Sequence, residues 1–221
     1  KQARRALKIL HSYPRNRQNP SQLLSTDIMA WYIENAIAEE EFMHHDYPLN
    51  QLFGIQSELP AFMASIHRLE TVRDARNYIK RLNAFERKFS QILEGLRKRE
   101  EKGITPPTFV VDRVIEEMTA FIACPPRENL LFMNFQERLA PITMSDDLKN
   151  GLFDIAESTI QNVVYPAYRS LIDYYISLKP KTTSVDGCWK LPDGDRYYTY
   201  QLRSNTTTPL DVEEVHAIGL S

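Results

Sequence analysis

The sequence predicts an all-α protein, a mostly antiparallel multi-helix bundle, from three observations. Apolar residues recur at steps of three and four along most of the chain, which is the period of a helix that buries one face. Only seven of the 221 residues are glycine, so few positions can supply the positive φ that tight hairpin turns need. Side chains that cap helices precede several of the periodic segments. Together these features disfavour a turn-rich β architecture.

Two helices are predicted between residues 25 and 70. Residues 25–27 form an N-cap cluster ahead of Ile28, and this helix is expected to end near Met43. Pro60 is expected in the first turn of the next helix, where the N–H that proline lacks would have no helical partner anyway.

The strongest helical pattern covers residues 71–102. Its apolar face consists of Ala75, Tyr78, Ile79, Leu82, Phe85, Phe89, Ile92, Leu93 and Leu96. Its other face carries Arg73, Arg76, Lys80, Arg87, Lys88 and Lys98. Gly103 suits the residue after a helix, which often has a left-handed conformation. The pattern predicts a long helix that buries one side.

More helices are predicted after residue 104. Proline pairs at 106–107 and 125–126 bound one helix, and residues 127–144 are expected to be short turns with a piece of helix. Ser145 caps a long segment that Pro166 should bend, because the proline ring excludes one hydrogen bond of the helix.

The C-terminal region is predicted to contain two helices after a polar connection. Asp193 opens the first, and residues 205–208 close it. Asp211 and Glu214, three residues apart, form a capping box for the second.

We expect residues 1–221 to form a single helical domain or fragment, with residues 1–103 and 104–221 as two sub-bundles. The chain opens at Lys1 within a helical pattern, and the last helix has only begun at Ser221. An amphipathic helix of about ten residues is marginal alone. We therefore expect a piece of a longer protein, whose C-terminal remainder packs against the helices present here.

Composition and charge exclude several classes of protein. The chain has 27 basic and 29 acidic residues, and a net charge of −2 argues against nucleic acid as a partner. No apolar run approaches the roughly 18 residues that span a bilayer. The two cysteines, Cys124 and Cys188, cannot define a disulfide framework, so they leave the compartment open.

The charges are unevenly distributed near the N-terminus. Residues 1–26 hold six Lys or Arg and no acid, whereas residues 27–60 hold seven acids and no Lys or Arg. We interpret them as oppositely charged faces of neighbouring helices, solvated or loosely paired, rather than as a binding patch.

The sequence contains no recognisable set of catalytic or metal-binding residues. A His-Glu-x-x-His motif, a glycine-rich phosphate loop, a Gly-x-Ser-x-Gly elbow and a Cys-x-x-Cys pair are all missing. Residues 44–46 (His-His-Asp) suggest a metal site, but adjacent histidines rarely reach one ion, so we expect solvated loop side chains. No catalytic or metal-ligating residue is therefore assigned.

One aromatic group near the C-terminus suggests binding. It consists of Trp189, Tyr197, Tyr198 and Tyr200, with Arg203 nearby. Tyrosine hydroxyls and a guanidinium can orient a carboxylate or a peptide carbonyl. Tyr197, Tyr198 and Arg203 are the candidate substrate-binding residues; packing in the core is the alternative interpretation.

The same region carries a family resemblance. Its matching residues are 187–194 (GCWKLPDG), 197–198, 202–203, 206–208, 210, 213–216 and 219–220. Earlier matches are 46–49 (DYPL), Gln51, Gly54, 59–60 (LP), 103–107 (GITPP) and 165–169 (YPAYR). In these residues the chain resembles the bacterial family called domain of unknown function 885.

The resemblance implies an N-terminal part of a larger, helical metallopeptidase-like fold with a substrate groove. Members of that family are similar to zinc peptidases whose metal site uses a His-Glu…Pro-Gly-His-His stretch and a later carboxylate. That stretch is missing here, so zinc is expected in the full-length protein and no cofactor in this chain. Many members are exported, which implies a periplasmic protein or a membrane-anchored lipoprotein.

Two functional hypotheses follow. In the first, the chain is the N-terminal helical portion of a zinc-dependent peptidase or hydrolase, forms a wall of the groove for a peptide substrate, and is inactive alone. In the second, it is a non-catalytic helical interaction module. Under the first hypothesis we expect a large exposed apolar surface, and hence oligomers when the chain is isolated. Under the second hypothesis we expect a monomer.

Overall fold

All regular secondary structure of the chain is helical in a computed structural model that describes residues 1–221, which confirms the all-α prediction. The α-helices are α1 (Gln2–His11), α2 (Pro20–Glu39), α3 (Ile55–Ala61), α4 (Val72–Glu101), α5 (Thr108–Phe121), α6 (Leu130–Leu139), α7 (Asp146–Thr159), α8 (Tyr165–Leu178), α9 (Gly194–Thr206) and α10 (Val212–Leu220). None of them combines the length and the hydropathy that a membrane span requires.

The chain divides into two compact units. Unit 1 consists of Lys1–Asp46 and Gly187–Ser221, and unit 2 is the continuous segment Tyr47–Asp186. These boundaries differ from the sub-bundles 1–103 and 104–221, because α4 from the first half packs against α7 and α8 from the second. The N-terminal and C-terminal segments of the chain both belong to unit 1, which no local pattern indicates.

Helix α4 is the central element of unit 2. Thr71 and Asp74 form a reciprocal capping box at its start, and Gly103 follows its end with φ of +73°. Tyr78 and Phe89 lie on its buried face and are almost fully inaccessible to solvent. The predicted limits and buried side of this helix are confirmed.

Buried tyrosines stabilise unit 2 by donating hydrogen bonds to backbone carbonyls. Four such hydroxyl–carbonyl pairs are Tyr78–Leu131, Tyr165–Cys124, Tyr168–Gln56 and Tyr175–Leu49. Burial raises the pKa of each of these tyrosines above its ordinary value, so the hydroxyl remains protonated and able to donate. The phenol rings thus add apolar area to the core without leaving a buried hydroxyl unpaired.

The predicted position of Pro60 is wrong. Helix α3 begins at Ile55, so Pro60 lies inside it rather than in its first turn. The N–H groups of Ser57 and Glu58 bond to the carbonyl of Gly54, which starts the helix five residues earlier than expected. A π-helical segment, Phe62–Ile66, follows directly.

The long segment after Ser145 is interrupted beside its proline. Ser145 caps α7 as predicted, with its side chain accepting a bond from the N–H of Leu148. A π-helical segment, Ile160–Val164, then separates α7 from α8, and Pro166 lies in the first turn of α8. The missing N–H of Pro166 therefore falls where the α-helical ladder is already irregular.

Helix α2 in unit 1 begins earlier than predicted. It starts at Pro20, and Asn19 forms a capping box with Gln22. The expected cap residues lie within the helix, where Ser25 donates to the carbonyl of Ser21. The sequence Asn-Pro one and a half turns upstream provides the stronger start, since proline is favoured at the first helical position.

The oppositely charged segments of unit 1 pair loosely, as predicted. Helices α1 and α2 pack together, and Arg4 lies 2.8 Å from Glu40 just after α2. Arg15 and Asp27 form a second pair at 2.5 Å. All four side chains are exposed, so these pairs contribute little to stability.

Candidate functional site

Helices α2 and α9 run antiparallel in unit 1 and form the candidate site. The amide nitrogen Nδ2 of Asn35 donates to Oγ of Ser204 at 2.9 Å. Towards the other end, the guanidinium of Arg196 bonds both carboxylate oxygens of Glu41, at 2.7 and 3.0 Å. These two links hold α9 beside the end of α2 and fix the register between them.

A groove of about 530 Å³, here called the α2/α9 groove, lies between these links. Its lining residues are Trp31, Glu34, Asn35, Ala38, Glu41, Phe42, Asp195, Arg196, Thr199, Tyr200 and Arg203. The residues before Phe42 recur at helical spacing, so one continuous face of α2 and its C-terminal extension forms one wall. The volume lies within the usual range for small-molecule and peptide side-chain sites.

The charges of the groove are only partly neutralised within the chain. Arg196 is paired with Glu41, but the guanidinium of Arg203 has neither a hydrogen bond nor an ion pair to another residue. The carboxylates of Glu34 and Asp195 also have no partner. The groove therefore offers an open cation and open carboxylates to a ligand.

Phe42 separates the α2/α9 groove from a smaller cavity of about 330 Å³ and is itself buried. Its ring centroid lies 5.4 Å from that of Tyr200 and 5.5 Å from that of Tyr197. His45 completes this aromatic cluster, 5.0 Å from Tyr197. Burial raises the pKa of Tyr197 and of Tyr200 above the ordinary value, so both hydroxyls stay neutral well above pH 7.

The three residues predicted from the sequence occupy different surroundings. Arg203 lines the α2/α9 groove, whereas Tyr197 lines the smaller cavity and accepts a hydrogen bond from Gln201. Tyr198 is 46% exposed and lines neither cavity. Trp189, from the same aromatic group, is also exposed, and Tyr200 is the one member of that group that lines both cavities.

The α2 wall of the groove was missed by sequence reasoning. Trp31, Glu34 and Asn35 lie about 165 residues before their neighbours on α9. The spacing of Trp31, Asn35 and Phe42 by four and seven residues marks one helical face, which was the available signal.

The side chains of this chain do not fit a zinc site. No three His, Cys, Asp or Glu residues are arranged to hold a metal ion. In the His-His-Asp segment, Nε2 of His45 lies 2.7 Å from the carbonyl oxygen of Pro192 and donates to it. Because structural zinc sites need four ligands and catalytic ones three, no metal-dependent step is assigned to these residues.

The comparisons with known proteins support a family and a fold. The model of a family described as "Bacterial protein of unknown function (DUF885)" matches residues 1–221. A solved structure, described as that of "the putative lipoprotein from Colwellia psychrerythraea", is similar with a TM-score of 0.92 and 20% identity. The match covers 99% of this chain but 39% of that protein, and at this identity it concerns the fold. No curated protein matches the chain.

Proposed function

Since the chain belongs to the DUF885 family of bacterial proteins, we propose that its α2/α9 groove binds a peptide segment. In this proposal the chain forms one wall of the substrate groove of a longer, zinc-dependent peptidase. The observation that carries the proposal is the unpaired guanidinium of Arg203 beside apolar and amide groups in one groove. No catalytic residue is assigned to this chain.

The chemistry of the groove suits a peptide. Arg203 can donate to a peptide carbonyl or a terminal carboxylate, and such charge-assisted bonds are stronger than neutral ones. Glu34 and Asp195 can accept from peptide N–H groups or from an ammonium group. Trp31 and Tyr200 provide apolar ring surface for a side chain.

The zinc ligands would then belong to sequence other than residues 1–221. The similar lipoprotein is more than twice as long as this chain, which supports a further partner segment. Apolar side chains on α2 provide a surface for it, since Leu24, Ile28 and Tyr32 recur every four residues and are at least 60% exposed. The description of that neighbour also supports a periplasmic or membrane-anchored location for the whole protein.

Peptide binding can be tested by NMR with trialanine and its C-terminal amide as probes. We expect the indole N–H signal of Trp31 to shift, while that of Trp189, which lies outside the groove, does not. Arg203→Ala should weaken trialanine binding about 10-fold or more, because a hydrogen bond to a charged group is lost. Arg169→Ala, an exposed arginine of unit 2, is the matched control.

Two results would contradict the proposal. If Arg203→Ala and Arg169→Ala bind trialanine with equal affinity, the α2/α9 groove is not the site of peptide binding. Tight 1:1 binding of zinc, or peptide hydrolysis by residues 1–221 alone, would contradict the division between groove wall and catalytic site.

The alternative function is a non-catalytic interaction module whose groove takes a peptide of another protein. The exposed apolar side chains of α2 are compatible with both. Light scattering with a dye for exposed apolar surface separates them. Oligomers that bind the dye support the groove-wall function, in which a further segment of the same protein covers the apolar surface. A monomer with little dye binding supports the interaction module.

A further inference from the structure

Helix α4 of unit 2 carries an exposed basic face that the proposed function does not use. The face consists of Arg73, Arg76, Lys80, Arg81, Arg87 and Lys88. At about 100° per residue these six fall within an arc of about 140° around the helix. The acids of the same stretch lie outside this arc: Asp74 caps the helix, and Glu86 points to another side.

The basic face is not neutralised from within the chain. None of its six side chains forms an ion pair, and Arg81 contacts the imidazole of His67 instead. The chain as a whole has a net charge of −2, so this face is a local positive region on a slightly acidic protein. Such a region attracts an anionic surface even when the net charge does not.

An apolar slot of about 240 Å³ opens within this face. Leu59, Phe62, Met63 and Phe85 are its apolar lining residues. Arg81, Arg87 and Lys88 also line the slot, and no carboxylate does. The guanidinium carbon of Arg81 lies 5.3 Å from the ring centroid of Phe62, so the cation is held at the apolar lining.

The basic face and the apolar slot together favour a ligand that is both apolar and anionic. An acidic peptide would match the arginines and lysines, but its backbone would find mostly apolar groups in the slot. An anionic phospholipid satisfies both parts, since its phosphate can bind the cations while an acyl chain enters the slot. Basic side chains around exposed apolar groups are typical of proteins that lie on anionic membranes.

We propose that the basic face of α4 docks unit 2 onto an anionic phospholipid surface, with one acyl chain in the slot beside Phe62. This docking is independent of peptide binding in unit 1, because it uses none of the residues of the α2/α9 groove.

The test is flotation of residues 1–221 with vesicles. We expect binding to vesicles of phosphatidylcholine with about one third phosphatidylglycerol, little binding to pure phosphatidylcholine, and weakening as NaCl is raised. Arg87→Glu should lower the affinity on the order of 25-fold, since each charge contributes about fivefold near such a surface. Arg169→Glu, an exposed reversal on α8, is the control and should bind more tightly than Arg87→Glu.

A second pair of variants tests the slot. Phe62→Ala should reduce vesicle binding several-fold, whereas Phe109→Ala, a half-exposed phenylalanine of α5 outside the slot, should not. Equal binding to neutral and anionic vesicles would overturn the proposal, as would equal losses in Arg87→Glu and Arg169→Glu. If poly-glutamate competes with the vesicles and Phe62→Ala does not change vesicle binding, the basic face binds an acidic protein rather than a phospholipid surface.

Discussion

The hydroxyl of Tyr168 donates a hydrogen bond to the backbone carbonyl of Gln56. In a regular α-helix this carbonyl would accept from the N–H of residue 60, which is a proline. The tyrosine of α8 therefore supplies the donor that the sequence of α3 lacks. Tyr168 also packs edge-on against Phe89 of α4 at 4.9 Å, so one side chain joins three helices of unit 2.

Tyr168→Phe should destabilise the protein by about 1–3 kcal/mol, because the buried carbonyl of Gln56 loses its donor. Urea unfolding followed by circular dichroism measures the change in the free energy of unfolding. Tyr32→Phe, at a residue 66% exposed, is the control and should have little effect. Equal stability of the two variants would mean that the hydroxyl of Tyr168 is not needed by α3.

Pro60→Ala should reduce the cost of Tyr168→Phe. Alanine restores an N–H at position 60, which can donate to the carbonyl of Gln56 in place of the tyrosine. A double-mutant cycle should therefore give a coupling free energy of about 0.5 kcal/mol or more between the two positions. If the two changes in the free energy of unfolding are strictly additive, the missing N–H of Pro60 is not coupled to the hydrogen bond of Tyr168.

Folding stability should depend on the protonation of His67, which is only 4% exposed. Burial lowers the pKa of the imidazole below 6.5. The positive charges of Arg81 and Arg138 also lower this pKa, whereas the hydrogen bond to the backbone of Asp74 raises it. The neutral ring accepts from Arg81 at Nδ1 and donates from Nε2 to the carbonyl of Asp74 at 3.2 Å. Protonation therefore costs one hydrogen bond and places a third charge beside two arginines.

Because the pKa of His67 is lower in the folded than in the unfolded state, the unfolded chain binds more protons below about pH 6.5. The contribution of the neutral ring is present above that pH and is lost as the pH falls towards the folded pKa. Urea unfolding between pH 7.5 and 5 should show a flatter pH dependence in His67→Gln than in the unaltered protein. His11→Gln, at an exposed histidine, should keep the original slope.

Asn35→Ala should loosen α9 within unit 1, because it removes the 2.9 Å hydrogen bond to Ser204. Hydrogen exchange of the α9 amides should accelerate about fivefold if one bond of about 1 kcal/mol limits local opening. Asn205→Ala is the control, since Asn205 donates to the carbonyl of Gln201 within α9 itself. Unchanged exchange in Asn35→Ala would show that this link does not hold the groove together.

Local signals in the sequence were sufficient for several helices and misleading for others. Thr71 and Gly103 delimit α4, and the box of Asp211 and Glu214 starts α10, because a cap involves residues only three or four apart. Pro60 misled for the same reason: its local preference for a first turn was overridden when Tyr168, distant in sequence, supplied a donor.

The candidate site was likewise predicted only in part from the sequence. Arg203 was identified from its own surroundings in the sequence, and it lines the α2/α9 groove. Trp31 and Asn35 were not, although their spacing marks one face of a helix.

The sequence by itself determined that the chain is helical, where most helices lie and which face of α4 is buried. Helical periodicity depends only on neighbours along the chain, so these properties can be obtained without knowing any partner. Only the tertiary structure decided that α2 lies against α9, that both chain ends share unit 1 and that Tyr168 completes α3. An apolar face must be covered, but its period does not specify which distant helix covers it.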